Sequence, residues 1–579
     1  MWLRLTCRRL ISARTHAFSS GRSLSTSSRP IKPASRLSQI GLATGGILTA
    51  SLLLENAVDT IHADAAHPDG KAQSERPPTP LSALIRAYIV YSMCSIPPLI
   101  DYAPSILSIL SSVPGLKQIT EAIVRVTFFD QFVGGDTAED ALPLLEELRA
   151  ENKGCLFAYS VEVDEAEAAG TSREERQAEQ SVHKRIVAET LHCIDVAADF
   201  EDEHSRNGKP DVQGRKTWVA IKLTAMLPRA ETLYNFSRHL VASRPAASPP
   251  IPFPGRPLPT DFDVLLSTSP ADGPLTSDDI SDLRELFEDL RSIGRRAEER
   301  NVRIIVDAEH SWYQPAIDAF ALSLQREFNK LPDRPRSFFR SSPPVEPAGA
   351  QPLIYQSYQA YLHRTPEYLK QSIEAARAGG YALGVKLVRG AYHPQELASY
   401  AAAHSASSAS ASHGSSHSVS PDPMPPVRLT KPDTDDCYNE CAAMLLQQVR
   451  KDIDDEAPRI GVLFGTHNWR SCDLILNELL KLAIARKDET GAVTMPVETT
   501  ERVTIGQLYG MCDDLTNSLV DRTRSDSPFV IKYIPYGALS EVMPYLSRRA
   551  IENKSVLGNG SAAEERKRAS AEIWARLFG

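Results

Sequence analysis

The sequence predicts an α/β protein whose core is a (β/α)8 (TIM) barrel, and two features support that fold class. From about residue 125 onward, eight short runs of mostly apolar, β-prone residues recur along the chain. The intervals between them are long enough for amphipathic helices, which parallel strands need as crossovers. With 579 residues, of which 42% are hydrophobic and 24% charged, the chain can bury the core that such a barrel requires.

Each run is predicted to form one strand buried on both faces, because its apolar character is nearly continuous. In chain order the runs are LFAYSVE (156–162), WVAIKLTAM (218–226), VRIIVDAE (302–309), LIYQSYQ (353–359), LGVKLVRGAY (383–392), IGVLFGTHN (460–468), VTIGQLYG (503–510) and FVIKYIPYG (529–537).

Segments rich in Pro, Ser or charge interrupt these units. Such segments bury too little apolar surface to offset the cost of ordering them, so we expect mobile loop insertions. They are residues 165–183, 201–216, 244–261, 331–351 and the Ser/Pro-rich stretch 394–435.

The N-terminus has the composition of a targeting segment. Residues 1–36 contain seven arginines and no acidic residue, which is typical of a mitochondrial transit peptide; a disordered basic tail is the alternative. Residues 37–120 form a separate N-terminal region. Its stretch 37–54 is uncharged but contains three glycines, and prolines interrupt the apolar residues 81–116. Either stretch could hold the protein on a membrane surface, and neither is a convincing span.

Charge and cysteine spacing argue against two kinds of site. The formal net charge of −9 argues against a general nucleic-acid binder. Cys437 and Cys441 have the spacing CYNEC, but the second ligand pair of a zinc site is missing. We therefore expect no structural metal and a reduced compartment.

Polar residues collect at the ends of the predicted strands. In such a barrel the C-terminal strand ends surround the catalytic mouth. The residues there are Lys222, Asp307, Gln356, Lys386, Arg389, Thr466, His467, Asn468, Leu508, Tyr509 and Tyr533. Singly, each has a simpler explanation, such as a salt bridge between Lys222 and Asp307, a core histidine at His467 or a helix cap at Gln356. Because seven of the eight predicted strands contribute residues to this set, it predicts a functional site.

Two adjacent arginines lie in the stretch PYLSRRAIENK, residues 544–554. With Ser540 as N-cap and Pro544 at the edge of the first turn, a helix here presents four polar side chains on one face. These are Tyr545, Arg548, Arg549 and Glu552. Glu552 can neutralise only one guanidinium, so the other needs an anion such as a carboxylate or phosphate. A solvated basic helix face is the alternative.

Several common catalytic motifs are missing from the sequence. No GxGxxG follows a strand, and no GxxxxGK[ST], nucleophile elbow or HExxH occurs. A mouth with basic and amide groups but no evident nucleophile suits a bound organic cofactor that carries the difficult chemical step.

These residues lie in sequence blocks that resemble the proline dehydrogenase family, the FAD enzymes of proline catabolism, in its mitochondrial eukaryotic, fungal-like form. The blocks are KLTA, VDAE, YQSYQ, KLVRGAY, FGTHN, QLYGM and YIPYG followed by YLSRRAIEN, in the order of the family. The segment TFFDQFVGGDT at 127–137 also resembles the family's segment ahead of the barrel. The resemblance implies a distorted barrel over residues 121–579, an N-terminal helical extension and a last helix that caps the flavin pocket.

The resemblance also implies roles for the candidate residues. Arg548 and Arg549 would pair with the substrate carboxylate, with Lys222 completing the clamp. Asp307 and Lys386 would be catalytic-site residues, Asp307 by holding Tyr533 and the arginines in place. The residues expected to pack around the substrate ring are Leu508, Tyr533 and Tyr545. The residues expected around FAD are Gln356, Arg389, Gly390, Ala391, Thr466, His467 and Glu552, and Glu552 would also steady the arginine pair.

One position departs from the bacterial members of the family, where arginine often occupies the position of Lys386. Lysine keeps the charge but loses the planar fork of arginine, so its contact with the flavin would differ.

The implied reaction transfers a hydride from C5 of L-proline to N5 of FAD and yields Δ1-pyrroline-5-carboxylate, the first step of proline catabolism. The electrons would pass to ubiquinone at the matrix side of the mitochondrial inner membrane. Oxidation of 4-hydroxyproline is the nearest competing reaction, and Tyr533 disfavours it because a phenol there crowds the ring carbon that carries the hydroxyl. A flavin-dependent folate reductase and a membrane-associated barrel without flavin are two further hypotheses.

Overall fold

A computed structural model of the chain describes residues 78–113, 115–160, 173–204, 214–266, 273–332, 352–405, 417–456, 459–554 and 561–578. The predicted transit peptide at 1–36 and the uncharged stretch at 37–54 lie outside these residues, so the structure does not test them.

Eight parallel strands close into a barrel in which each strand pairs with the next barrel strand, and the eighth pairs with the first. They are β1 (Lys153–Tyr159), β2 (Thr217–Ile221), β3 (Ile304–Val306), β4 (Ile354–Gln359), β5 (Leu383–Val388), β6 (Ile460–Gly465), β7 (Val503–Leu508) and β8 (Val530–Tyr536). All eight predicted strands form, and the predicted (β/α)8 barrel is confirmed.

The inside of the barrel is a packed apolar core. Leu156, Ile305 and Ile531 are buried there, and the rings of Trp218 and Tyr355 lie with their centres 5.2 Å apart. Side chains of alternating residues point inward along each strand, so the inward positions at the C-terminal strand ends line the mouth above this core.

Charged residues close the N-terminal end of the barrel. The buried Lys216 donates hydrogen bonds to the Thr500 carbonyl and, at 2.9 Å, to Thr504 Oγ1. Beside it, Arg303 pairs with Glu501 at 2.8 Å. Burial lowers the pKa of Lys216 to about 7. Because this end is plugged, the opposite end is left as the mouth.

Helices precede, connect and follow the barrel strands. Their bounds are Leu142–Ala150, Arg173–Glu203, Glu231–Ser243, Asp263–Leu266, Ser277–Arg300, Gln314–Phe328, Thr365–Gly379, His393–Ser405, Lys431–Asp454, Trp469–Lys481, Val497–Thr500, Asp513–Arg522, Leu539–Lys554 and Ser561–Phe578, with a 3-10 turn at Thr224–Met226. Local sequence sets their ends: Ser277–Arg300 begins with a capping box of Thr276 and Asp279 and ends at Asn301 in the left-handed conformation. Three short strands, Arg486–Lys487, Val493–Thr494 and Thr523–Arg524, form a separate small sheet.

A helical extension precedes the barrel, as predicted. It consists of Leu81–Cys94, Pro97–Asp101, Ala103–Ser112 and Leu116–Val124, a π-helical turn at Arg125–Phe129, and Asp130–Phe132. Its first helix packs along Ser561–Phe578, and its second packs against Leu539–Lys554. Across the described ranges, no helix combines the length and apolar character needed to cross a membrane.

Gly510 anchors this extension to the loop after β7. The Tyr91 hydroxyl and the Gln131 side-chain amide donate hydrogen bonds of 2.6 and 3.0 Å to the Gly510 carbonyl. Gly510 has a φ of +70°, and a Cβ at this position would lie 1.8 Å from the Gln131 carbonyl oxygen. Only glycine therefore allows this close approach of the two backbones.

Two segments predicted as mobile insertions contain ordered structure. In 244–261, Arg244 pairs with the buried Asp261 at 2.6 Å, and the buried Phe253 donates its backbone N–H to Asp422 at 2.7 Å. Within 394–435, the helix His393–Ser405 forms, and residues 406–416 lie outside the described part of the chain. The expectation failed for 244–261 because it counted only apolar burial and missed the buried ion pair.

Candidate active site

The barrel brings six of the predicted site residues to its mouth, because parallel strands present their C-terminal ends together. Lys386 lies near the end of β5, Leu508 ends β7, and Tyr533, in the middle of β8, pairs with Leu508. The other three, Lys222, Asp307 and His467, lie just beyond strand ends.

Asp307 organises the centre of this mouth. Its Oδ1 lies 2.5 Å from Lys386 Nζ, and its Oδ2 accepts a 3.3 Å hydrogen bond from the Tyr533 hydroxyl. Lys386 Nζ also lies 5.3 Å from the centre of the Tyr533 ring. The side chains of Asp307 and Lys386 are only 10% and 13% exposed, so the carboxylate stabilises a lysine charge that is largely removed from water. Asp307 thus holds both the Lys386 side chain and the Tyr533 hydroxyl in place.

The helix Leu539–Lys554 follows β8 directly. It begins at Leu539, so Ser540 is not its N-cap as predicted, and Pro544 lies inside the helix and not in its first turn. Asp136 lies near the Leu539 amide and holds Arg125 through contacts of 2.6 and 2.8 Å. The Arg125 contact lowers the pKa of Asp136.

The predicted face of this helix does form, with different partners for its two arginines. Arg549 is buried, pairs with Glu552 at 2.5 Å and lies 5.1 Å from the ring centre of the buried Tyr545. Arg548 is half-buried and donates a 3.0 Å hydrogen bond to the hydroxyl of Tyr392.

Arg549 retains unused hydrogen-bond donors in a buried position. Its Nε and Nη1 atoms are buried, and neither has a hydrogen-bond partner among the described residues. Burying charged donors without acceptors is costly. The geometry therefore favours an anionic ligand at Arg549, as the sequence predicted for one member of the pair.

His467 presents a neutral ring next to these cations. Its Nε2 accepts a 3.2 Å hydrogen bond from the Leu508 amide, which leaves the proton on Nδ1. Burial, together with the charges of Lys532 and Arg549, lowers its pKa to about 3. Nδ1 is buried and has no partner in the described part of the chain. It therefore offers a donor to a ligand.

Arg389 is held rigidly at the end of β5. Its Nε lies 2.6 Å from Asp435, its Nη1 donates to Thr466 Oγ1 at 2.7 Å, and its Nη2 donates to Ser471 Oγ at 2.8 Å. The guanidinium also lies 4.3 Å from the ring centre of Tyr438. The structure thus brings Arg389 and Thr466 together, as predicted.

The backbone turns sharply after Arg389. Gly390 has a φ of +121°, and a Cβ there would lie 2.6 Å from the ring of Tyr361. Ala391, the next residue, is exposed. Glycine is required here because the backbone passes directly over an aromatic ring.

Gln356 does not reach the mouth. Its side-chain amide donates to Asp318 at 2.7 Å and to the Tyr368 hydroxyl at 2.8 Å, and both partners belong to the surrounding helices. The residue on the inward face of β4 is Gln359, which shares that face with Tyr355. Gln359 is buried and donates to the Glu309 carbonyl at 3.0 Å, and its Oε1 has no partner among the described residues.

Two residues at the site were missed by sequence reasoning. Gln359 lies in the quoted block YQSYQ, three residues after Gln356, and the sequence does not show which glutamine points inward. Tyr392 ends the block KLVRGAY, and its contact with Arg548 depends on a residue 156 positions away.

Two other predicted strand-end residues have structural roles. Asn468 caps the helix Trp469–Lys481, and Tyr509 packs against the apolar core between the barrel and its helices.

Comparison with known proteins agrees with this geometry. The family model for proline dehydrogenase matches residues 167–561, which is more than half of the chain. Hydroxyproline dehydrogenase of Rattus norvegicus is 28% identical over 504 residues, covering 86% of this chain and 91% of the relative. Mitochondrial proline dehydrogenase 1 of Drosophila melanogaster is 25% identical over 592 residues, covering 86% and 78%.

A solved structure supports the fold. Proline utilization A from Bdellovibrio bacteriovorus, inactivated by N-propargylglycine, matches with a TM-score of 0.52 at 18% identity. The match covers 83% of this chain and 40% of that one, so this chain spans less than half of that protein. With the family match and the confirmed barrel, the chain belongs to the proline dehydrogenase family and is an enzyme of that class.

Proposed function

We propose that this protein oxidises L-proline to Δ1-pyrroline-5-carboxylate with FAD as cofactor, and that a membrane quinone, ubiquinone, accepts the electrons. The observation that carries the proposal is the buried Arg549, whose Nε and Nη1 lack acceptors among the described residues at the mouth of a barrel of the proline dehydrogenase family. A substrate carboxylate would satisfy both donors.

The residues around Arg549 suit the rest of a proline molecule. Arg548 and Lys222 supply further positive charge for the carboxylate. The substrate ring would pack against apolar and aromatic side chains, namely Leu508, Tyr533 and Tyr545. Because Asp307 holds the Tyr533 hydroxyl, this wall of the pocket is fixed before substrate binds.

The positive charge of the site also favours the reactive form of the substrate. Proline must lose a proton from its ammonium group before C5 can give up a hydride. Nearby cations raise the free energy of that ammonium and therefore lower its pKa. Arg548 and Arg549 provide such charges, while the charge of Lys386 is paired with Asp307.

The residues present fit a bound flavin. The Nδ1 of His467 and Oε1 of Gln359 are buried polar atoms without partners among the described residues. Arg389 and Thr466, hydrogen-bonded to each other, would hold the cofactor beside Ala391, while Lys386 is paired with Asp307. When bound, FAD supplies the ring system that accepts the hydride. In this assignment Gln359 takes the role that the resemblance implied for Gln356.

Mass spectrometry tests the cofactor and product together. Heat denaturation of the purified protein should release FAD, and incubation with proline and a soluble electron acceptor should yield a product two hydrogens lighter than proline. Release of FMN or of no flavin would contradict the cofactor assignment, and unchanged proline would contradict the reaction.

Oxidation of 4-hydroxyproline is a second candidate, because hydroxyproline dehydrogenases of Rattus norvegicus and Mus musculus are each 28% identical to this chain. Tyr533 disfavours it, since Asp307 holds the phenol at the substrate pocket. We expect Tyr533→Ser to lose activity on proline relative to hydroxyproline, because the smaller side chain leaves room for the hydroxyl. An unchanged ratio of kcat/KM values would refute this steric explanation.

A mitochondrial location, on the matrix side of the inner membrane, completes the proposal. Relatives from Drosophila melanogaster and Dictyostelium discoideum are named mitochondrial, and residues 1–36 have the composition of a transit peptide. Deleting residues 1–36 should abolish import into isolated mitochondria while activity in solution persists. Import of the deleted form would contradict the assignment of the leader.

A further inference from the structure

A buried carboxylate links two loops of the barrel mouth. Glu396 belongs to the helix His393–Ser405 after β5, and its side chain is only 1% exposed. Its Oε1 accepts the backbone N–H of Ser311 at 2.6 Å, and its Oε2 accepts the Ser311 hydroxyl at 2.5 Å. Ser311 lies in the loop after β3, which also carries Asp307. Since β4 separates β3 from β5 in the barrel, this contact bridges the end of an intervening strand.

Stacked rings connect this loop to the arginine pair. The ring of His310, next to Ser311, lies nearly parallel to that of Trp312, with their centres 4.2 Å apart. The His310 ring also contacts Tyr392, and these two ring centres are 4.0 Å apart. The Tyr392 hydroxyl accepts the 3.0 Å hydrogen bond from Arg548. A chain of contacts therefore runs from the loop after β3 to Arg548.

Glu396 contacts two members of this chain. Its Oε1 lies 3.8 Å from His310 Nδ1, and its backbone N–H donates a 3.0 Å hydrogen bond to the Tyr392 carbonyl. Burial raises the pKa of Glu396 to about 7, and the hydrogen bonds from Ser311 oppose this shift. Burying a carboxyl group costs stability that an apolar side chain would not cost, and such groups are concentrated at functional sites. The position of Glu396 therefore indicates a role in the site as well as in folding.

We propose that Glu396 is a positioning residue for substrate binding, acting through His310 and Tyr392. By fixing the loop after β3, Glu396 holds the His310 ring against Tyr392, and the Tyr392 hydroxyl in turn holds the guanidinium of Arg548 at the mouth. Arg548 then loses less side-chain freedom when it binds a carboxylate. The inference rests on the proposed function, in which Arg548 contributes to binding of the proline carboxylate.

Glu396→Leu removes both acceptors for Ser311 and tests the proposal by steady-state kinetics with a soluble electron acceptor. We expect the KM for proline to rise about tenfold and kcat to stay near the wild-type value, because Asp307 and Lys386 keep their contact. Glu396→Gln keeps the shape of the side chain, and its amide can accept the Ser311 N–H while donating to the Ser311 hydroxyl. It should therefore restore most of the wild-type KM. A wild-type KM in Glu396→Leu would overturn the proposal.

Asp279→Asn is the matched control for the loss of a buried carboxylate. Asp279 is 2% exposed, and its Oδ2 accepts the backbone N–H and the hydroxyl of Thr276 at 3.0 and 2.8 Å, but it lies in the outer helix Ser277–Arg300. This variant should lower the denaturation midpoint without raising KM, and an equal rise of KM in it would overturn the proposal. Should Glu396→Leu fail to fold, Ser311→Ala removes one of the two hydrogen bonds and should raise KM about threefold. An unchanged KM in folded Ser311→Ala would then count against Glu396 as a positioning residue.

A double-mutant cycle tests the route through Tyr392. In Tyr392→Phe the hydroxyl that binds Arg548 is absent, so the further substitution Glu396→Leu should raise KM by less than about twofold. A further rise of about tenfold would mean that Glu396 acts independently of Tyr392, which contradicts the proposed route.

Calorimetric binding of cyclopentanecarboxylate to the holoenzyme separates this proposal from the proposed function. This ring carboxylate has no amine nitrogen to assist loss of a hydride, so its Kd reports binding alone. We expect the Kd to rise about tenfold in Glu396→Leu and to stay at the wild-type value in Asp279→Asn. Such a change in Kd without proline turnover by the wild type would refute the proposed function and leave the positioning role intact. Proline turnover with unchanged Kd and KM in Glu396→Leu would refute the positioning role alone.

Discussion

At the scale of single residues, the main feature of the site is a buried cation that the protein neutralises incompletely. Glu552 satisfies one nitrogen of Arg549, and the two other nitrogens have no acceptor among the described residues. Removing charged donors from water without replacing their hydrogen bonds costs stability. A carboxylate ligand would recover that free energy on binding, which makes Arg549 a site of affinity as well as a structural element.

Arg549→Met should therefore raise the KM for proline more than it changes flavin content. Losing two charge-assisted hydrogen bonds is worth about 2–4 kcal/mol, or about 30-fold to 1000-fold in KM. Steady-state kinetics with a soluble acceptor would measure this. Arg185→Met is the matched control, because Arg185 is 58% exposed and contacts the same helix from outside through Glu541. If both variants kept the wild-type KM, Arg549 would not bind the substrate.

His467 should make the stability of the folded protein depend on pH. Its pKa is about 3 in the folded protein, below its ordinary value of 6.5, so the unfolded chain binds more protons between these values. The contribution of His467 to the free energy of unfolding is therefore greatest above pH 6.5. It falls by about 1.4 kcal/mol per pH unit as the pH drops between the two pKa values. In His467→Asn the loss of stability between pH 7.5 and pH 5.5 should be smaller, as measured by urea unfolding. An identical pH response in His467→Asn and the wild type would contradict the assignment.

The sequence predicted the chemistry of the site better than its geometry. Lys386, Asp307 and Tyr533 were named from strand ends, and the barrel brings them within direct contact. Gln356 and Gln359 lie an odd number of residues apart on one strand and so face opposite sides. Which of them points inward depends on the register of β4 against its neighbours, and local sequence does not encode that register.

At the scale of elements, the helix Leu539–Lys554 shows what a local pattern determines. The spacing of Tyr545, Arg548, Arg549 and Glu552 places them on one helical face. This prediction does not depend on which residue begins the helix. The start of the helix could not be predicted, because the residue before it is Ala538, which gives no N-cap signal of the Ser, Thr, Asn or Asp type.

The contact between the N-terminal extension and the loop after β7 depends on Gly510. In Gly510→Ala the new Cβ would meet the Gln131 carbonyl, so the hydrogen bonds from Tyr91 and Gln131 should be lost. We expect a destabilisation of about 2–4 kcal/mol, against about 1 kcal/mol for Gly380→Ala. Gly380 has a similar φ of +66° but no heavy atom within 4 Å of its Cβ position, which makes it a matched control. Equal denaturation midpoints for the two variants would show that the contact contributes little.

At the scale of the whole molecule, the barrel carries the site residues, and the N-terminal helices pack against the helices that follow the last strand. The barrel was predictable because eight apolar runs and their helix-length intervals repeat one local pattern, and the structure closes them in chain order. The helix Leu81–Cys94 packs along Ser561–Phe578, so this contact joins distant parts of the chain. No periodic pattern in the sequence predicts the contact. Together these helices support the cover of the pocket from outside the barrel.

The most direct test of the account is an anaerobic visible spectrum of the purified protein before and after the addition of proline. We predict a flavin absorption band that proline bleaches, with hydroxyproline bleaching it much more slowly, and a slower response to low proline concentrations in Arg549→Met. A flavin band that proline leaves oxidised would contradict the assignment of proline as the substrate bound at the arginine pair.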